Sequence, residues 1–267
     1  MVISWDSDKV LRIKMRRFFL GMLYMVQGIH HLVTPGLKRF ILLPLAINFI
    51  MFAGLFYLID YYLLPYAYHY LDKLPSWLGF LSSVLFVFFI LSFILMFLSL
   101  FTVFFNLIAA PFNGLLAEKT QNLLFGSTIP SLPFYEMVLR SLKRQAEFLG
   151  YFLPRFLVMG ILFFVPFLQP IYPILWFIFN AWILSIQYQD FAMDNNLIRF
   201  KEMRKKVASN KMLSLGFGFS ISLASLIPIL NILVMPAAVI ASTMLFCKLN
   251  QDLLQPSLKH IDLKTIH

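Results

Sequence analysis

The chain has 267 residues, 60% of them hydrophobic and 13% charged, with 31 phenylalanines and a net charge of +10. This composition excludes an ordinary soluble domain, because such domains carry about 25% charged residues. The Lys and Arg residues adjoin long apolar runs, so their charge indicates contact with lipid headgroups, and no nucleic-acid partner is expected.

Four uncharged runs dominate the sequence, at 40–59, 74–117, 156–189 and 212–247. Each reaches the roughly 20 residues that cross about 30 Å of hydrocarbon. When these runs are placed in a membrane, all of the 22 Lys and Arg residues except Lys73 lie on the same side of it. Basic segments stay in the cytoplasm, so we predict an all-α, multi-pass integral membrane protein of a bacterial inner membrane, with residues 1–267 as one membrane domain.

The first elements follow a basic segment. Residues 18–33 are too few to span a bilayer and are predicted to form a helix in the membrane interface. Thr34 is expected to cap the next helix, with Pro35 in its first turn. That helix supplies the first transmembrane segment, 40–64. The loop after it is poor in positive charge and should lie outside.

The second apolar run, 74–117, would be about 66 Å long as one helix, roughly twice the hydrocarbon thickness. Pro111 and Gly114 are expected to break its inner end, which leaves a transmembrane helix at 77–108. Two cytoplasmic amphipathic segments are predicted at 118–155 and 190–211. In the first, i,i+4 spacing predicts two ion pairs, Glu136 with Arg140 and Lys143 with Glu147. In the second, Asp190, Asp194 and Asn195 are expected to cap a basic helix.

Prolines interrupt the last two runs: Pro166, Pro170 and Pro173 in one, Pro228 in the other. The resulting half-helices are about 15–27 Å long, and both ends of each run are basic. We therefore predict two partly penetrating helical hairpins, 156–189 and 212–247. Their irregular backbone would need protein or water around it, which favours a pore or an oligomer. The alternative, a single tilted span for each run, would place the six positive charges of 190–211 outside.

The strongest local signal for a binding site is Thr34-Pro35-Gly36-Leu37-Lys38-Arg39-Phe40. A helix start presents unpaired N–H groups and a partial positive charge, both suited to an oxyanion. Gly36 has no side chain to obstruct an anion, and Lys38 and Arg39 add cationic donors. The alternative interpretation is that these two cations only anchor the helix at the headgroups.

A second candidate is the break Ala109–Glu118. Polar side chains at a membrane boundary are candidates for a translocation pathway, here Asn106, Asn113 and Glu118. The alternative is a helix cap and turn. Nothing in the sequence indicates catalysis, a cofactor, a metal site or an ATPase subunit, since no G-x-x-x-x-G-K-[ST], H-E-x-x-H or G-x-S-x-G motif occurs. The single cysteine, Cys247, excludes an intrachain disulfide and is interpreted as a packing residue.

At these residues the chain resembles the CysZ family of bacterial sulfate permeases. The resemblance covers roughly 27–245 and rests on Gln27-Gly28, Pro35–Pro44, Asn106, Ala109–Glu118, Tyr151–Arg155, Leu175–Phe177, Ile186–Tyr188, Phe200–Arg204 and Ile227–Ala237. It implies sulfate uptake for cysteine synthesis, with true spans, partly penetrating hairpins and a homo-oligomeric assembly.

The resemblance also implies that sulfate binds at Gly36, Leu37, Lys38 and Arg39. The family has arginine where this chain has Lys38, so the charge is kept but the two-pronged guanidinium is lost. Distant eukaryotic relatives, the etoposide-induced membrane proteins, keep one alternative open: a membrane-shaping or assembly protein without transport activity.

Overall fold

The computed structural model describes residues 4–71, 79–127, 129 and 133–250. In this part of the chain the regular structure is helical, with nine α-helices: α1 Ser4–His30, α2 Lys38–Leu58, α3 Leu64–Leu71, α4 Gly79–Phe125, α5 Phe134–Phe163, α6 Tyr172–Asn195, α7 Phe200–Ser209, α8 Lys211–Ser225 and α9 Pro228–Leu249. A π-helical turn, Ile59–Leu63, joins α2 to α3. The predicted all-α class is therefore confirmed for the described residues.

The chain divides into two compact units. One contains Leu42–Ala110, that is, most of α2, all of α3 and the larger part of α4; the other contains Met1–Ile41 and Pro111–His267. Two described helical segments, Lys38–Tyr66 and Tyr135–Phe163, are long and apolar enough to cross a membrane by length and composition. The predicted outside loop with Asp72 and Lys73 lies outside the described residues.

The predicted break at Pro111 and Gly114 is wrong, because α4 continues without interruption to Phe125. Proline removes only one backbone hydrogen bond, at a cost of about 3 kcal/mol. In a long helix with many intact bonds on either side, that loss does not end the helix. The segment 118–155 is thus divided between the end of α4 and the start of α5.

Helices α5 and α6 form one hairpin and α8 and α9 a second, each turning at prolines. Most of the turn backbone is bonded locally: Phe164 and Val165 donate to carbonyls of α5, and Leu168 donates to Val165. Proline has no N–H to satisfy. These turns therefore leave few open donors, and the expected need for surrounding protein or water at the turns is correspondingly weaker.

The larger unit depends on close packing of α1 against α8 and α9. At Gly216 of α8, a Cβ atom would lie 1.9 Å from the carbonyl oxygen of Phe18. At Gly28 of α1, it would lie 2.2 Å from the carbonyl oxygen of Ala237. The core beside these contacts contains Met25, Phe217 and Ala241, all nearly inaccessible. Small residues let these backbones approach closely, as is common between membrane helices.

Gly216→Ala should destabilise the protein by about 1–3 kcal/mol, because the added methyl group meets backbone rather than a movable side chain. Gly160→Ala in α5 is the matched control, since its Cβ would have no neighbour within 4 Å. Thermal unfolding of both variants in detergent measures the difference. Equal melting temperatures would contradict the close approach of α1 and α8.

Candidate functional site

The predicted anion-binding segment begins with a turn rather than a helix. Leu37 donates its N–H to the carbonyl of Thr34 at 3.2 Å, and Gly36 has a φ of +91°. Pro at the second position and Gly with positive φ at the third define a type II β-turn. The expectation that Thr34 caps a helix starting at Pro35 is wrong, because α2 begins at Lys38 and the Thr34 hydroxyl is hydrogen-bonded to His31 Nδ1 at 3.2 Å.

Leu37 fixes this turn to the body of the protein. Its side chain is completely buried in the core that also contains Leu116 and Ala117 of α4. Its N–H donates to the Thr34 carbonyl, so the amide of Leu37 is not available to an anion. Leu37 therefore serves to anchor the segment. Gly36 lies against Leu123 of α4, where a Cβ would approach Cδ1 to 3.2 Å.

Lys38 and Arg39 begin α2 with exposed side chains. The Arg39 guanidinium lies 4.8 Å from the ring centroid of Phe40, a cation–π contact. The N–H groups of Lys38 and Arg39 lie in the first turn of α2, before its i→i−4 hydrogen bonds begin. The N–H of Phe40 donates to the carbonyl of Leu37. The structure thus brings two cationic side chains and the start of a helix together beside a glycine.

The predicted pathway residues are distributed differently. Glu118 lies on the face of α4 that includes Gly114 and Gln121, since these residues are separated by three or four positions. The Gly114 carbonyl accepts from Asn195 at 2.7 Å, and Gln121 exchanges two hydrogen bonds with Asn196. Gly114 and Gln121 thus form a polar contact between α4 and the end of α6, on the helix face that also carries Glu118.

Burial raises the pKa of Glu118, and the nearby Lys119 opposes that rise. Asn113 is buried on α4. Asn106 belongs to α4, but its side chain lies outside the described part of the chain, so its pathway role stays a prediction.

Two arginines of α5 pair with two aspartates of α6. Arg144 lies 2.7 Å from Asp190, and Arg140 lies 3.0 Å from Asp194. The Arg144 and Asp190 side chains are each only 10% exposed. Burial raises the pKa of Asp190 to about 6, although the hydrogen bonds from Arg144 oppose the rise. This cluster joins α5 to α6 at the end of the hairpin opposite its turn.

The cluster replaces the local pairs expected from sequence. Arg140 binds Asp194 rather than Glu136, and Glu147 lies 3.7 Å from Arg144. The expected capping is also wrong, because α7 has Arg199 at its N-cap with no side-chain hydrogen bond. Asp190 and Asp194 instead face α5. Their position just after an apolar run was the only sequence signal for this cluster.

Long helices with exposed apolar side chains, and charges gathered at one end of each hairpin, are typical of a helical membrane protein. Among the described residues, no group of His, Cys, Asp and Glu could hold a metal ion. The sequence profile of the family described as Sulfate transporter CysZ/Etoposide-induced protein 2.4 matches residues 24–236. The chain belongs to this family.

Several named relatives are similar over most of their length. The sulfate transporter CysZ of Pectobacterium atrosepticum is 39% identical over 230 residues, which cover 85% of this chain and 84% of the relative. That of Salmonella typhimurium is 39% identical over 227 residues, with 84% and 90% covered. That of Pseudomonas syringae pv. tomato is 40% identical over 232 residues, with 85% and 92% covered.

Arg144→Gln should destabilise the protein by about 3–5 kcal/mol, because it leaves the buried Asp190 carboxylate without its cation. Lys143→Gln is the matched control: it removes the same charge from the neighbouring, exposed position. We expect the double variant Arg144→Gln/Asp190→Asn to recover part of the loss. Thermal unfolding in detergent tests this, and equal stability of both single variants would refute the structural role of the ion pair.

Proposed function

We propose that this protein takes up sulfate across a bacterial inner membrane and so supplies cysteine synthesis. The named relatives that are about 40% identical over most of the chain carry this proposal. Uptake here needs no cofactor or catalytic step from the protein, and the sequence implies no ATPase subunit.

The sulfate-binding segment of the proposal is Gly36, Leu37, Lys38 and Arg39. Sulfate at neutral pH has no proton to donate and only accepts hydrogen bonds. Lys38 and Arg39 offer cationic donors and amide N–H groups at the start of α2. Gly36 is exposed and adds no side chain, and buried Leu37 holds the turn in place. No carboxylate occurs between Asp8 and Asp60 to repel a dianion.

In this proposal the two hairpins enter the membrane from the cytoplasmic side without crossing it. Helix α8 has 15 residues and a length of about 22 Å, short of the roughly 30 Å hydrocarbon layer. Helix α5 is long enough to cross, but it carries charged residues as far as Arg155, and the uncharged residues 156–163 beyond it extend only about 12 Å. The hairpin turns expose apolar side chains: Phe164 is 79%, Phe167 80% and Leu226 71% exposed. Lipid is the natural environment for such surfaces.

The translocation path runs, in the proposal, past Glu118 and Asn113, with Asn106 farther along α4. Glu118 shares its helix face with Gly114 and Gln121, whose hydrogen bonds to Asn195 and Asn196 make this part of α4 polar. Transmembrane crossings at 40–64 and 77–108, and assembly as a homo-oligomer, complete the proposal. The apolar surface of Val84–Met96 within α4 suits the second crossing.

Sulfate uptake into proteoliposomes should fall in Arg39→Ala, and the dissociation constant for sulfate should rise about 10- to 100-fold. One lost charge-assisted hydrogen bond of about 1.5–3 kcal/mol accounts for this range. Arg17→Ala is the matched control, because it removes an exposed arginine from α1, away from the turn. Radiolabelled sulfate measures uptake, and titration calorimetry measures binding.

Equal uptake and binding by wild type and Arg39→Ala would remove Arg39 from the proposed site. Uptake no greater than in empty liposomes, together with vesicle deformation by the wild type, would instead favour the membrane-shaping alternative.

A further inference from the structure

A second concentration of positive charge lies away from the start of α2. A cleft of about 650 Å³ opens between α5 and the segment that joins α6 to α7. We call it the basic cleft. Its lining includes Arg140 and Arg144, which are paired with the lining carboxylates Asp194 and Glu147. Five further cations also line it: Lys143, Arg155, Arg199, Lys201 and Arg204. Among the described residues, none of these five forms an ion pair with a carboxylate.

Aromatic rings hold two of these cations close together. The guanidinium of Arg155 lies 3.7 Å from the centroid of the Tyr151 ring, and that of Arg204 lies 4.9 Å from the same centroid. Arg204 also lies 5.5 Å from the Phe200 ring. The Tyr151 hydroxyl accepts a hydrogen bond from Trp182 Nε1 at 3.0 Å, which fixes the ring. Two like charges thus share one rigid aromatic support.

The donors of this pair are only partly used within the protein. Arg155 Nη1 donates to the Tyr151 carbonyl at 2.7 Å. Arg204 Nε is buried and has no hydrogen-bond partner among the described residues. A buried charged donor without a partner is costly, and neighbouring guanidinium groups repel each other. An anion that accepts hydrogen bonds from the accessible guanidinium nitrogens would offset the repulsion and the uncompensated charge of Arg204.

The surroundings of the cleft indicate where such an anion comes from. Leu197, which lines the cleft, is a large apolar side chain that is 60% exposed. The acyl chains of a lipid whose phosphate group lies in the cleft would therefore adjoin apolar surface. Basic pockets next to membrane helices on the cytoplasmic side suit anionic lipid headgroups, and arginine suits phosphate through two-point hydrogen bonding.

We propose that the basic cleft binds the phosphate group of an anionic phospholipid, with Arg155 and Arg204 as its main ligands. This site is separate from Gly36–Arg39 and does not require that sulfate be transported. Free phosphate shares the recognition chemistry, so the experiment must distinguish the two sources.

The test compares binding of short-chain phosphatidylglycerol, short-chain phosphatidylcholine and inorganic phosphate to delipidated full-length protein in detergent. Microscale thermophoresis is run on wild type, Arg204→Gln and Lys205→Gln. Lys205 is the matched control, because it is exposed on α7, directly after Arg204, and does not line the cleft. Melting temperatures in the same detergent establish that each variant is folded.

We expect phosphatidylglycerol to bind wild type and Lys205→Gln alike, and Arg204→Gln at least about 10-fold more weakly, as the loss of one charge-assisted hydrogen bond requires. Phosphatidylcholine should not compete, and higher salt should weaken binding. If Arg204→Gln does not fold, Arg155→Gln takes its place in the same comparison.

Equal phosphatidylglycerol affinity in wild type and the folded cleft variant would overturn the site. Binding of inorganic phosphate in the cleft without binding of phosphatidylglycerol would overturn the lipid as its source.

Discussion

The ion pairs between α5 and α6 determine the arrangement of the polar end of the larger unit. Arg144 is bound to Asp190 and also donates to the carbonyl of Ile198, so it holds α5 to both α6 and the approach to α7. Once α6 is fixed there, Asn195 and Asn196 can reach α4. The polar contact of α4 with the end of α6 therefore depends on the charges of α5 and α6.

Close backbone packing and tight turns, rather than ion pairs, hold the apolar part of the same unit together. Glycines allow α1 to approach α8 and α9 at backbone distance, and prolines turn the hairpins while leaving few open N–H groups. Both devices suit a surrounding without water, where unpaired backbone groups are costly. Cys247 is fully buried in a second core, with Phe200 and Met203 of α7, consistent with its interpretation as a packing residue.

The sequence was informative where a physical rule acts locally. Prolines and basic flanks indicated the turns of α5–α6 and α8–α9, and Pro-Gly at 35–36 carried the signature of the type II turn, although it was interpreted as a helix start. The break predicted at Pro111 is wrong, because the loss of one backbone hydrogen bond does not end a 47-residue helix whose other hydrogen bonds are intact.

Contacts between distant parts of the chain could not be predicted in the same way. Arg144 and Asp190 are 46 residues apart, and i,i+4 spacing favoured nearer partners that the folded chain does not use. The basic cleft was missed for the same reason. Its cations come from α5 and α7, and each group looks like an ordinary membrane anchor when it is taken alone.

Both the proposed membrane topology and the lipid site depend on one claim: that each hairpin enters and leaves the membrane at the cytoplasmic face. The most direct test places single cysteines at positions 205 and 167 in a Cys247→Ala background and treats cells with a membrane-impermeant maleimide. The account predicts that Lys205→Cys is labelled only after the cells are permeabilised, and that Phe167→Cys is protected in both conditions until the protein is denatured. Labelling of position 205 in intact cells, in every copy, would contradict it.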